Sequence, residues 1–217
     1  DQRNIAYDYI IKMDADIQFD PDFLDKIEQR LIKDKHGIVS GTPYQVIGGT
    51  KRYITSPTWH TNGDFKVYNK KCLNDMNGLT PNLGWDCADN IAAMENGWET
   101  IAFRDIFYKQ QRPIGRYSPF EGRIRQGRGA YVLRYSIGYI FLKLIQDLFK
   151  KPYIIGAIYQ FYGYLRCHYH KDKRTVTISQ GRILRQLLWK SFFERVKNRK
   201  FFIFQFFNKN NYEKVPK

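Results

Sequence analysis

The pattern of apolar and polar positions changes character along the chain. Tyr9, Ile10, Ile11 and Met13 form a short, partly β-branched run that predicts a buried strand ending at Asp14. Asp20 followed by Pro21 is a helix-start signal, and Phe23, Leu24, Ile27, Leu31 and Ile32 fall on one face at helical spacing. Between Gly37 and Val67 the stretches GIVSGTPYQV, GGTKRY and GDFKVY read as strands joined by turns. A short helix over Lys70 to Asp75 follows, stopped by Asn77 and Gly78. Next, Ala88, Ile91, Ala92 and Glu95 share helical spacing, Gly97 ends that helix, and TIAF returns as a strand. The order strand, acidic turn, helix, strands, loop, helix, strand predicts an α/β fold.

The second half reads differently. From Gln110 to Gly129 the chain is rich in Arg, Gly and Pro, which predicts a mobile cationic loop of the kind that closes over an anionic substrate; a solvated basic linker is the other reading. Three helices are predicted beyond it. The first covers Tyr131 to Phe149. The second is opened by Pro152, and Ile154, Ile155, Ile158, Tyr159, Phe161, Tyr162 and Leu165 wrap most of its surface. The third starts near Gly181, with Ile183, Leu184, Leu187, Leu188 and Phe192 on one face and Arg182, Arg185, Lys190 and Arg195 around the rest. Basic amphipathic helices with aromatic faces suit a membrane interface, and the same pattern suits a helical subdomain packed on an α/β core.

Composition narrows the classes. With 217 residues and 43% hydrophobic content, the chain can bury a core in one domain, or in one domain plus an appendage. Cys72, Cys87 and Cys167 form no CxxC and cannot all pair, which points to reduced thiols in a cytosolic setting. No signal peptide and no apolar run of transmembrane length is present. The chain opens on Asp1 with a strand almost at once, and the natural protein is expected to extend further toward its N-terminus. The net charge of +15 is uneven. Residues 1–110 carry 13 Lys/Arg against 16 Asp/Glu, whereas residues 111–217 carry 23 against 5, a net of +18. Such polarity calls for an anionic partner of the second half: a lipid surface, a phosphorylated acceptor or nucleic acid. No nucleic-acid-recognition motif is present, so nucleic acid is not the expected partner.

The candidate chemistry begins at MDAD. Asp14 and Asp16 lie on a strand-to-helix turn, where ligands of open α/β sheets bind. Two close carboxylates repel unless a cation sits between them, and such oxygen donors suit Mg²⁺ or Mn²⁺ carrying a diphosphate. Ordinary polar turn residues would also look like this. A third carboxylate, Asp86, follows Gly84 and Trp85 at a predicted helix start. Asp89 reads as a first-turn residue favoured by the helix dipole. Cys87 reads as a packing residue, and His168 and His170, two apart in CHYH, as an incidental pair rather than metal ligands.

Taken together, MDAD after a strand, FKVYNKKCLNDMNGL and GWDCADNIAAMENGW resemble the family 2 glycosyltransferases, inverting enzymes of GT-A fold that use nucleotide-sugar donors. The resemblance covers roughly residues 5 to 130. It implies a partial, Rossmann-like mixed sheet with a helical extension, divided as a GT-A catalytic region over 1–125 and basic amphipathic helices over 126–217. In many relatives the last segment reads Glu-Asp; here Trp85 replaces the Glu. By resemblance Asp86 is the general base, Asp14 lies nearer the ribose of the donor and Asp16 nearer the metal, and Arg112 is a candidate diphosphate partner. Gln110 stands where close relatives have His. The Gln-x-x-Arg-Trp signature of processive synthases is absent, since RQGRGAY offers Gln126 and Arg128 but no tryptophan, which favours transfer of a single sugar. The early segment that binds the nucleotide base is also absent. The resemblance thus implies transfer from a nucleotide sugar to a saccharide or lipid-linked acceptor, in cell-surface polysaccharide or glycolipid synthesis, at the inner face of the cell membrane. The alternatives are a polyprenyl-phosphate sugar synthase, whose ionised acceptor needs no base, and a non-catalytic membrane- or nucleic-acid-binding module.

Overall fold

The computed structural model of the chain describes residues 6–33, 36–111, 118–148, 153–197 and 212–213. They fall into two compact units. The sheet unit comprises Asp1–Thr80, Asp89–Pro113 and Tyr212–Lys217, and the helical unit Pro81–Ala88 and Ile114–Asn211.

In the sheet unit the strands are β1 (Tyr9–Met13), β2 (Ile17–Gln18), β3 (His36–Ile47), β4 (Thr50–Ile54), β5 (Phe65–Asn69), β6 (Glu99–Gln110) and β7 (Tyr212–Glu213). They form one mixed sheet in the order β1-β5-β3-β4-β7, with β6 pairing both β3 and β2. Only the β3–β6 pairing is parallel. The α/β class and the mixed sheet are as expected. Gly48 and Gly49, both with positive φ, make the two-residue turn that lets Ile47 pair with Thr50, as right-twisted hairpin strands require.

Two cores flank the sheet. On one face α1 (Phe23–Lys33) sets Phe23, Ile27 and Leu31 against Val39, Phe65, Val67, Phe103, Ile106 and Tyr108. The rings of Phe23 and Phe65 meet edge-on at 5.0 Å. Ile38, Tyr68, Cys72 and Ala93 form the second core, to which α2 (Lys70–Asp75) contributes Cys72 and α3 (Trp85–Glu95) Ala93. The helix read over Lys70 to Asp75 is present with those ends, and Asn77 and Gly78 take positive φ at its stop. Leu24 departs from its expected face and is exposed, because Phe23, Ile27 and Leu31 already fill the buried stripe. The first strand is also less buried than expected: β1 pairs only β5 among the described strands, and Ile11 and Met13 are exposed.

The helical unit corrects two sequence expectations. The stretch 110–129 is not one long loop, since α4 spans Pro119–Val132. Pro119 opens the helix, the Ser118 hydroxyl accepts from Glu121 N, and the Glu121 carboxylate accepts from Ser118 N, a capping box that the high glycine content disguised. The expected boundary at 125/126 therefore falls inside α4. The helix expected over Tyr131 to Phe149 is broken as well. The chain turns at Arg134, which has positive φ, and α5 (Ile137–Asp147) restarts on a Ser136 cap. Two further helices follow, α6 (Tyr153–Tyr169) and α7 (Ile178–Lys197). Pro152, the expected opener of α6, lies outside the described residues.

Glycines set the packing of α4 on α6. A Cβ on Gly127 would collide with Gln160 O, and one on Gly163 with Ile124 O, so the two backbones approach as closely as only glycine permits. Arg123 and Asp147, both buried, pair at 3.2 Å and tie α4 to α5. Leu184 and Leu188 are the buried residues of the expected apolar face of α7.

Candidate active site

The acidic turn is pinned at both ends. Asp14 N donates to Asp64 O at 2.8 Å, carrying the β1–β5 pairing one step further, while Gln111 N donates to Asp16 O at 2.9 Å beside the β2–β6 pairing. Lys12 Nζ lies 2.5 Å from both Asp14 Oδ1 and Gly63 O, which balances one carboxylate charge and braces the turn against the segment before β5. The Asp14 side chain is exposed and Asp16 is half-buried.

Beneath the turn is a third carboxylate that sequence reasoning missed. Asp64 Oδ1 accepts from the Tyr108 hydroxyl at 2.6 Å and from Phe65 N at 3.1 Å. Burial pushes the Asp64 carboxyl above its ordinary value; the charge of Asp14 adds to this and the Tyr108 bond opposes it. Its only sequence signal was an Asp just before a strand. Gln18, Phe19 and Asp20, just after the turn, join Tyr44, Phe107 and Lys109 in lining a cleft of about 210 Å³. The Gln110 side chain accepts from Gln45 Nε2 at 3.0 Å.

Asp14, exposed, and Asp16, half-buried, place hard oxygen donors on one turn. That fits a divalent ion such as Mg²⁺, which binds through one or two carboxylates plus phosphate and keeps several waters. No group of three or more His, Cys, Asp or Glu gathers for a metal among the described residues. His168 instead packs against the Tyr131 and Tyr164 rings.

Asp86 lies in the first turn of α3, half-buried, in the part of the chain that belongs to the helical unit. In that unit Pro81, Asn82, Leu83, Trp85, Arg125 and Arg128 line a cleft of about 360 Å³. One wall is held by Thr175 Oγ1, which donates to Leu83 O at 2.8 Å. Arg125 and Arg128, three apart on α4, supply cationic planar donors suited to phosphate or carboxylate, and Trp85 supplies an aromatic face on which a sugar ring can stack. Tyr135 is half-buried nearby, and desolvation, followed by the neighbouring Cys87, Tyr139 and Asp86, holds its hydroxyl protonated far above the ordinary range. Cys87 itself is buried. Arg112 lies outside the described residues.

Asp89 is not a solvated first-turn residue. It is buried, accepts from Lys66 Nζ at 2.8 and 2.9 Å and from the Tyr68 hydroxyl at 2.6 Å, and bonds Asn90 N at 2.7 Å. Burial raises its carboxyl pKa, against the charge and hydrogen bonds of Lys66 and Tyr68. Lys66 projects from the face of β5 that also carries Tyr68, where alternation alone predicts an apolar residue.

Residues 3–88 match the family model described as glycosyl transferase family 2. The family 2 region spans Asp14 and Asp16 and runs two residues past Asp86. No curated protein matches the chain. Among solved structures it is similar to the mannosyltransferase PcManGT from Pyrobaculum calidifontis, in complex with GDP-Man and Mn²⁺, at 14% identity and a TM-score of 0.42. That similarity covers 91% of this chain and 59% of the solved one.

Proposed function

We propose that the chain acts as an inverting, metal-dependent GT-A glycosyltransferase that moves one sugar from a nucleotide-sugar donor to a saccharide or lipid-linked acceptor, in cell-surface polysaccharide or glycolipid synthesis. The observation that carries this reading is the family match, because it includes all three candidate carboxylates. Asp14 and Asp16 would hold Mg²⁺ or Mn²⁺, which when bound neutralises charge on the leaving diphosphate. Asp14, already balanced by Lys12, is placed toward the donor ribose and Asp16 toward the ion. Arg112 is assigned to the diphosphate.

Asp86 acts as general base. It takes the proton of the acceptor hydroxyl as that oxygen bonds to the anomeric carbon from the face opposite the leaving group. The bond from that carbon to the diphosphate oxygen breaks with its electron pair, so configuration inverts. Trp85, Arg125 and Arg128 line the acceptor side, Trp85 stacking on the sugar and the arginines binding an acidic group. A positioned base is worth about 10² to 10⁴ in rate. The enzyme is assigned to the inner face of the cell membrane, with an anionic lipid surface as partner and no nucleic acid. No helix among the described residues is long and apolar enough to cross a membrane.

The test separates the two roles. Asp86→Asn should lower transfer by about 10² to 10⁴ while donor affinity, measured by calorimetry with Mn²⁺, stays near wild type. Asp16→Asn should instead weaken metal-dependent donor binding. Equal loss of donor affinity in both variants would overturn the assignment.

A further inference from the structure

Helix α6 is inside out for a helix of a water-soluble subdomain. Its buried residues are Gly156, Ala157, Gln160, Gly163 and Cys167, and its large apolar side chains point away from the unit. Ile154 is 62% exposed, Ile158 61% and Tyr162 52%. On α5 a second stripe, Ile137, Phe141 and Ile145, is exposed at four-residue spacing. The stripes adjoin, since the Phe141 and Phe161 rings lie 6.1 Å apart. Contiguous exposed apolar surface on this scale marks an interaction site. The unit that carries it holds 20 Lys/Arg against 5 Asp/Glu, a net of +15, while the sheet unit balances at 16 against 16.

We propose that the joined α5–α6 face is the surface by which the protein enters an anionic membrane, lying in the plane of the interface with its apolar side chains below the headgroups. This deepens the membrane assignment made above by naming the surface. An apolar face on a strongly cationic body matches a lipid leaflet on both counts, since the apolar side chains partition and the cations draw the unit to acidic headgroups. A second copy of this chain fits worse, because two such bodies repel. Helix α7 is not the inserting element: Leu184 and Leu188 of its apolar face are buried.

The test is vesicle co-sedimentation of the full chain on neutral phosphatidylcholine and on phosphatidylcholine with 30% phosphatidylglycerol (about that fraction gives a well-charged surface), without donor or acceptor. Outcomes are therefore independent of the glycosyltransferase reading, which fails or stands on transfer. Wild type should bind the anionic vesicles more tightly, and added salt should weaken binding without abolishing it. The triple variant Ile154→Gln, Ile155→Gln and Ile158→Gln should lose about tenfold in partitioning per side chain. All three native cysteines are buried, so an environment-sensitive dye can be attached selectively. Dye at Ile158→Cys should shift to the blue on vesicles and dye at Lys190→Cys should not. Undiminished binding by the triple variant, or an equal shift at Lys190→Cys, would overturn the proposal. So would a marked fall in thermal stability of the variant, which would mean the face is covered within the chain, or a wild-type dimer in sedimentation that the variant abolishes.

Discussion

The sheet unit and helix α6 bury opposite kinds of residue. Inside the sheet unit are large aromatics and a lysine–aspartate pair; Phe23, Phe65, Tyr68, Tyr108 and Lys66 are among the most buried side chains of the molecule. The core of α6 is glycine, alanine, glutamine and cysteine, and its isoleucines and tyrosines face outward. Charge follows the same division, neutral in one unit and +15 in the other. The sheet unit is organised by water on its outside, which drives apolar bulk inward and admits a buried charge only where a partner answers it. In the helical unit close backbone packing holds α4 on α6, which leaves the isoleucines of α6 on the surface.

Several substitutions would break or sharpen that contrast. The largest effect is expected at Lys66→Met, which strands the Asp89 carboxylate in the core and should cost about 3–5 kcal/mol in urea unfolding. The double variant Lys66→Met, Asp89→Leu should recover most of it; failure to recover would mean that the pair does more than balance its own charge. Next comes Gly163→Val. Its side chain would force α6 off Ile124 O, and a loss of about 1–3 kcal/mol is expected, again by urea unfolding.

A smaller effect concerns pH. The folded pKa of Asp64 is raised above its ordinary 3.8, chiefly by burial, so its contribution to stability is full below that value and is lost as pH rises through the raised one. Asp64→Asn keeps an acceptor for Tyr108 and cannot ionise. Its stability relative to wild type should therefore increase with pH across this range, as unfolding curves from pH 3 to 8 (roughly the span over which a buried carboxyl titrates) would register. Smallest of all, Ile155→Gln should change folding stability by no more than about 0.5 kcal/mol, because this side chain is exposed in the folded unit. A loss comparable to a core substitution would remove the contrast between the units.

Much was legible before any coordinates. The α2 helix with its Asn77–Gly78 stop and the acidic turn after β1 follow from local chemistry: helical period, a helix-stop pair, and a strand that ends on carboxylates. The candidate triad of Asp14, Asp16 and Asp86 also came from short motifs, and the family match covers the same positions. Misreadings arose where composition hid geometry. Gly127 looked like a loop residue, yet its use is to admit the α6 backbone, which no local pattern expresses.

What the sequence determined by itself was therefore period, punctuation and charge: most strands and helices of the first half, where they stop, and that the second half is cationic. Only the tertiary structure decided which side of each element is inside. Lys66 is buried because Asp89, twenty-three positions away, meets it there, and Asp64 is half-buried where the Tyr108 hydroxyl donates to it. Helix α6 turns its isoleucines outward because Gly127 and Gly163 make the opposite face the closer fit to α4. Burial is a property of pairs of surfaces, and a one-dimensional pattern records only one member of each pair.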